Sequence, residues 1–276
     1  MASQYTETAL TLTAADGVRI PAIEMRPAIN PVAHILMLHG ITTQKNEWGN
    51  FFGNLARAFA ERDIASLRID FRGHGESSEP STRFSVASQV LDVMAAVDWL
   101  IKRSSANRIH LLGCSFGSPP AILFSALRPQ IVGTLNFVCP VLDYSSTFLY
   151  PTTEWASELF NEHTIQKAFT EGTLKMNSTF EIDAKLLIEM QFLKPYTVLR
   201  KIHTPTLVIH GQADSMVSFA LTKKYTKSLA HVRFIGIPRM DHGFTDQDDE
   251  TGESEASQRN FNRIVAEICS QIQRAS

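Results

Sequence analysis

Short apolar runs alternate with longer amphipathic stretches along most of the chain. Thr6–Thr13 and Val18–Met25 alternate apolar and polar positions around Ala15-Asp16-Gly17, the pattern of an opening β-hairpin. Val32–Leu38 is continuously apolar, as a strand covered on both faces requires. Trp48–Glu61 then spaces Phe51, Phe52, Leu55 and Phe59 along one helical face. The rhythm repeats with a strand over Ala65–Ile69, a helix over Val86–Ile101, a strand over Arg108–Leu112, a helix over Pro119–Leu127 and a strand over Ile131–Cys139. Alternation of this kind predicts the α/β class, with a mainly parallel sheet covered by helices.

After Pro140 the rhythm breaks until about Lys201. That stretch is aromatic-rich (Phe148, Tyr150, Trp155, Phe160, Phe169, Phe180, Phe192) and weakly periodic. Alternation resumes with a strand over Thr206–His210, a helix over Ala220–Leu229, a strand over Val232–Ile237 and a last helix near Arg259–Ile272. The interruption is either a group of helices covering the sheet edge or an inserted cap over a pocket. It leaves from the C-terminal end of a strand, where open α/β sheets bind ligands, so a cap over about 141–200 is the favoured reading. No repeat or low-complexity linker divides the chain, and residues 1–276 read as one domain.

Composition narrows the function classes. Twenty-six Lys and Arg against 28 Asp and Glu leave a formal charge of −2, so no basic surface for nucleic acid or anionic membrane is expected. A hydrophobic share of 44% with 20% charged residues is that of a globular protein rather than a disordered one. Cys114, Cys139 and Cys269 form neither a disulfide framework nor a C-x-x-C metal pair. Met1–Leu10 lacks the basic and apolar regions of a secretory signal, and the apolar runs around Ile35–Leu38 and Ile131–Leu142 fall short of the ~20 residues of a membrane span. The expectation is a cytoplasmic protein acting on a small molecule without metal or organic cofactor.

Candidate chemistry centres on Gly113-Cys114-Ser115-Phe116-Gly117, a full G-x-S-x-G. It follows an apolar strand and precedes a helix, the context in which a sharp turn exposes the serine as a nucleophile. Its bland reading is a glycine-rich connector whose serine caps the helix. Pro119 and Pro120 follow at once, and the second is expected to forfeit a helical hydrogen bond. Cys114 reads as packing. A serine nucleophile needs a base, and the base an orienting carboxylate. Of nine histidines, His242 in Met240-Asp241-His242-Gly243-Phe244 stands in a loop beyond the last strand. His210 and His231 at strand termini, and His34 and His110 in or beside buried strands, read as packing or surface residues. Asp214, after the strand ending at His210, is the favoured acid, with Asp143 as its rival; Asp241 is too close to His242 in sequence to turn back on it. Two N–H donors for an oxyanion are expected at Phe116, directly after the nucleophile, and at Ile41, in the turn after the Val32–Leu38 strand.

Taken together, Leu38-His39-Gly40, the run Asp70–Ser77, Gly113–Gly117, His210–Asp214 and Asp241–Phe244 resemble the α/β-hydrolase superfamily over nearly the whole chain. The likeness is greatest to the bacterial cinnamoyl- and feruloyl-esterase-like serine hydrolases. It implies a mostly parallel eight-stranded sheet flanked by helices, with a cap inserted after the sixth strand. It also implies Ser115 as nucleophile, His242 as base, Asp214 as acid, and Ile41 and Phe116 as oxyanion donors. His74 reads as a turn-stabilising residue.

The resulting expectation is a serine esterase acting through an acyl-enzyme on a bulky or aromatic ester, with Phe148, Tyr150 and Trp155 as cap residues that could touch substrate. The same triad could instead open a lactone (a macrolide antibiotic included), a thioester or a C–C bond. A third reading is a ligand-binding receptor on a hydrolase scaffold. The acidic run Asp246, Asp248, Asp249, Glu250, Glu253 and Glu255 lacks the spacing of a calcium loop and reads as a solvated loop entering the last helix.

Overall fold

The computed structural model describes residues 5–104, 106–249 and 251–275. Met1–Gln4 of the polar N-terminal stretch and Glu250 of the acidic run lie outside the described residues. Eight strands form one sheet: β1 (Tyr5–Thr13), β2 (Arg19–Pro27), β3 (Ala33–Leu38), β4 (Ile64–Ile69), β5 (Ile109–Cys114), β6 (Val132–Val138), and, after a long excursion, β9 (Thr206–Gly211) and β10 (Val232–Ile237). Their order across the sheet is β1-β2-β4-β3-β5-β6-β9-β10. The hairpin turn bends at Gly17, whose φ is 84°, and β2 pairs antiparallel with both β1 and β4. The remaining neighbours are parallel.

Both faces of the sheet are covered, and the continuous apolar strands follow from that. In β3, Leu36 and Leu38 pack with α2 (Val86–Ser104) and α3 (Ser118–Leu127), while Ile35 and Met37 pack with α1 (Phe51–Ala60) and the last helix, α9 (Glu255–Ala275), which follows α8 (Phe219–Thr226) and β10. Truncating any of these fully buried side chains to Ala would cost roughly 2–5 kcal/mol. The helix expected to start at Trp48 starts three residues later. Glu47, Gly49 and Asn50 all have positive φ, so a short 3-10 turn over Trp48–Asn50 precedes α1. The last helix starts four residues earlier than its periodicity indicates.

Between β6 and β9 the chain leaves the sheet and returns to the adjacent strand. The excursion holds a π-helical turn (Ser145–Leu149), α4 (Glu154–Leu159), α5 (Glu162–Glu171), a small hairpin of β7 (Thr173–Lys175) and β8 (Glu181–Asp183), α6 (Ala184–Phe192) and α7 (Pro195–Leu199). Its weak periodicity has a physical cause. The elements are short and bury Phe148, Phe160, Phe180 and Ile182 into their own cluster with Phe84 and Phe116, rather than onto a flat sheet. Among the ties that anchor it, Glu189 Oε2 accepts the Val86 amide at 2.7 Å, and Trp155 Nε1 donates to the Met216 carbonyl at 3.0 Å. No described helix is long and apolar enough to cross a membrane.

Candidate active site

Ser115 stands on the turn between β5 and α3, with φ of 47°. A non-glycine residue holds that conformation only when its surroundings impose it. The flanking glycines allow the required closeness. A Cβ on Gly113 would lie 2.7 Å from the Ser118 Cα, and one on Gly117 would collide with the Leu38 and His39 carbonyls of the neighbouring strand end. Because α3 begins at Ser118, Pro119 and Pro120 both fall in its first turn, where N–H groups have no helical acceptor. The expected loss of a hydrogen bond at Pro120 is therefore avoided.

His242 arrives on the loop after β10, and Asp214 on the turn after β9. His242 Nε2 is 3.0 Å from Ser115 Oγ, and its Nδ1 is 2.9 Å from Asp214 Oδ2 and 3.1 Å from Oδ1. Asp214 Oδ1 also accepts the Met216 and Val217 amides at 2.9 and 2.8 Å. Burial by itself would raise the Asp214 carboxyl. The charge of His242 and hydrogen bonds from His210 and His242 outweigh it and hold the group well below the usual carboxylate range. Burial likewise opposes the charged imidazole of His242, yet the Asp214 carboxylate, with smaller contributions from Glu47 and Asp241, raises it above its ordinary value.

The rival acid is elsewhere. Asp143 accepts from Tyr225 Oη at 2.7 Å and Ser146 Oγ at 2.9 Å, with no contact to His242. Asp241 accepts the Ser215 amide at 2.8 Å and so braces the acid's turn. His210, read from sequence as a packing or surface residue, is fully buried with Nε2 3.0 Å from Asp214 Oδ2 and 3.1 Å from the Val217 carbonyl. Both partners are acceptors, so Nε2 carries the proton. The His-Gly-x-x-Asp spacing across a strand-end turn was the signal that could have revealed this contact. Cys139 Sγ also lies within 4.8 Å of Asp214 and His242 ligand atoms, the one such three-residue group among the described residues. Burial, then the Asp214 charge, push its thiol far up, so it faces the site as a neutral thiol.

The turn after β3 is braced from two sides. His39 donates from Nδ1 to the Gly40 carbonyl at 2.7 Å, while its Nε2 accepts the Phe71 amide at 3.0 Å. Asp70 accepts the Lys45 amide and its ammonium, both at 2.7 Å. The Ile41 amide in this turn, and the Phe116 amide opening the turn after Ser115, have no acceptor among the described residues. His74 is buried, approaches the Arg72 carbonyl through Nδ1 at 3.1 Å and packs edge-on against Phe84, in keeping with a structural role.

Ser115 and His242 open into a cleft of about 540 Å3 walled by Trp48, Trp155, Leu159, Met176 and Met216. Of the three aromatic candidates in the excursion, only Trp155 lines it. Phe148 is buried against Phe116 and Phe160, and Tyr150 is 69% exposed beside a separate surface groove. The acidic run is also more ordered than a solvated loop. Asp246 is buried and paired with Arg239, and Asp249 accepts the Ser254 amide and the Ser257 hydroxyl at the start of α9.

Comparison with known proteins agrees with this fold. A mouse monoacylglycerol lipase, ABHD6, is 30% identical over 144 residues, covering 51% of this chain and 40% of the lipase, so the chain matches well under half of that relative. A 2-hydroxy-6-oxononadienedioate/2-hydroxy-6-oxononatrienedioate hydrolase of Paraburkholderia phymatum is 26% identical over 242 residues, covering 75% of this chain and 80% of its own. Among solved structures, Est1E of Butyrivibrio proteoclasticus with bound ferulic acid superposes with a TM-score of 0.74 at 18% identity, covering 96% of this chain and 100% of that one. DcsB, in complex with its substrate analogue, gives 0.76 at 16% identity, covering 98% and 100%. The profile of the alpha/beta hydrolase family matches residues 35–253, and the chain belongs to that family.

Proposed function

We propose that this chain is a serine hydrolase of carboxylic esters, a single domain in which residues 141–200 act as a cap over the cleft. The observation that carries the reading is the unbroken hydrogen-bonded line from Ser115 Oγ through His242 to Asp214 at the floor of an apolar-walled cleft. In the mechanism, His242 Nε2 takes the Ser115 proton as Oγ attacks the ester carbonyl. Asp214 keeps the Nδ1 proton in place and stabilises the imidazolium. The Ile41 and Phe116 amides receive the oxyanion; each such donor is worth roughly 10²–10³ in rate. His242 then protonates the leaving alcohol, and water attacks the acyl-serine by the same route in reverse.

The cleft also bears on the substrate. Glu47, Asp241, Asp246 and Asp249 line it, and no lysine or arginine does so among the described residues. A dioate such as the one in the name of the Paraburkholderia relative would enter with no countercharge. A neutral or cationic ester meets no such penalty, and Trp155 and Trp48 offer flat surfaces for a bulky or aromatic group. Ferulic acid bound to Est1E belongs to that aromatic class.

The test is hydrolysis of p-nitrophenyl and hydroxycinnamate esters by wild type and Ser115→Ala, with fluorophosphonate labelling of the nucleophile. Labelling of wild type alone and a loss of at least about 10³ in the variant are expected. Full activity in Ser115→Ala would overturn the proposal. An enzyme that labels at Ser115 but leaves every simple ester intact would move the reading to lactones or thioesters.

A further inference from the structure

One buried carboxylate in the cleft has no part in the line from Ser115 to Asp214. Glu47 is 7% exposed and has φ of 60° with ψ of 179°, a backbone region almost confined to glycine. Its two oxygens are both engaged. Oε1 accepts the Gly40 amide at 2.5 Å, and Oε2 accepts the Trp48 amide at 3.0 Å. A Cβ built on Gly40 would lie 3.2 Å from Glu47 Oε1 and 3.2 Å from Ser115 Cβ. The carboxylate and the nucleophile therefore press on the same side of the turn after β3. Nothing in the sequence signals this. The acid sits in a turn with no periodicity, and its partners are backbone amides.

Two consequences follow from the geometry. The Gly40 amide is consumed by Glu47, so the next amide, that of Ile41, is the one left facing the cleft. The carboxylate also lines the same cleft as Ser115 and His242, where it adds a negative charge to those of Asp214 and Asp241. The groups facing His242 are Asp214 from the turn after β9, Asp241 from its own loop, Glu47 from the turn after β3 and the neutral Cys139 thiol after β6. Those facing Glu47 are His242, the Gly40 and Trp48 amides, the Thr43 hydroxyl and, across the nucleophile turn, the Cys114 thiol. Lys45, two residues before Glu47, is turned away and held by Asp70 and Glu76.

We propose that Glu47 is a positioning residue of the hydrolytic site, which holds the oxyanion turn through the Gly40 amide and supplies a further negative charge to the His242 imidazolium. This rests on the serine-hydrolase reading above. Burial outweighs the pull of the amide donors and His242, so the Glu47 carboxyl stands above its ordinary value and its ionisation depends on those partners.

The test compares Glu47→Gln, Glu47→Asp and wild type on a neutral p-nitrophenyl ester, recording kcat and KM from pH 5 to 9. Glu47→Gln keeps the size and one acceptor but removes the charge. Its kcat is expected to fall about 10-fold with KM nearly constant, and the acid limb of kcat/KM to move down by about half a unit or more. Glu47→Asp keeps the charge but withdraws it from Gly40, so kcat falls while the limb stays near wild type. A wild-type kcat and limb in folded Glu47→Gln would overturn the proposal. Should that variant fail to fold, wild-type kcat in Glu47→Asp would overturn it equally. Fluorophosphonate labelling of wild-type Ser115 separates the two levels. Absence of labelling refutes the serine mechanism itself, whereas labelling with an indifferent Glu47→Gln refutes only the role of Glu47.

Discussion

Replacing Asp214 by Asn changes one atom and reverses a hydrogen-bond pattern. Asp214 Oδ1 accepts two backbone amides, at 2.9 and 2.8 Å, and backbone donors cannot change their polarity. In Asp214→Asn the amide oxygen must take that side. The NH2 group then faces His242 Nδ1 and His210 Nε2, which at 2.9 and 3.0 Å present protons to the native carboxylate. His242 can relieve the opposition only by moving its proton to Nε2, the nitrogen that must accept the Ser115 proton. An enzyme locked in that tautomer is expected to lose about 10⁴ in kcat, equivalent to roughly 5 kcal/mol of transition-state stabilisation. Steady-state hydrolysis of a p-nitrophenyl ester measures the loss, with a circular dichroism melt to establish folding. Asp143→Asn is the control and should stay within about three-fold of wild type, since Asp143 serves only Tyr225 and Ser146. A folded Asp214→Asn within 10-fold of wild type, or a large loss in Asp143→Asn, would refute the assignment of the acid.

The raised basicity of His242 sets the pH dependence. The imidazole must be neutral to act, so kcat/KM should fall as pH drops through a limb above 6.5; a limb below 6 would contradict the geometry. Stability should follow other histidines. Burial holds His34, His39 and His110 at about 4 and His74 at about 3, below the 6.5 of the unfolded chain. The unfolded state thus binds protons first, and stability is lost as pH falls below 6.5. At pH 5 the most deeply buried of them, His39 and His74, each cost about 2 kcal/mol, from 1.5 units at 1.36 kcal/mol each. The Tm should drop steeply between pH 7 and 5, a window in which Asp214 stays ionised in both states; a flat Tm would refute this. Trp155→Ala removes a wall of the cleft and the bond to the Met216 carbonyl. KM for hydroxycinnamate esters should rise about 5-fold or more while acetate esters change less than 2-fold, and equal effects on both would place aromatic binding elsewhere.

The sheet was legible because each strand carries a pattern its surroundings demand. β3 is apolar throughout since both faces are covered, and β1 alternates since only one is. That Ser115, His242 and Asp214 meet was legible because turn chemistry at strand ends constrains the sequence around them. What escaped the sequence has a common origin. His210 and Phe148 were ambiguous because one buried ring looks like another until its nitrogen finds an acceptor or its edge a neighbour. Tyr150 and Trp155 lie five residues apart on weakly periodic chain, and only the packing of the excursion turns one to solvent and the other to the cleft. Glu47 was hidden for the opposite reason, since its partners are main-chain amides that any sequence supplies.

The excursion begins after β6 and ends before β9, two strands that are hydrogen-bonded neighbours from Leu135↔Thr206 to Val138↔Ile209. Its ends are therefore fixed by the sheet, about 11 Å apart at opposite ends of two parallel strands, whatever lies between them. Lengthening such a segment is cheap, about 0.6 kcal/mol of closure entropy per doubling. The fold thus separates two kinds of inheritance. Residues on the sheet's rim cannot drift without ending the proposed chemistry, while the excursion can change length at little entropic cost wherever it does not pack on the sheet or on Phe84 and Phe116. Descendants of this chain would be expected to diverge in diet sooner than in mechanism, and exchanging the elements between residues 150 and 192, outside the core held by Leu142, Leu199 and Ile202, is the natural route to redirecting it.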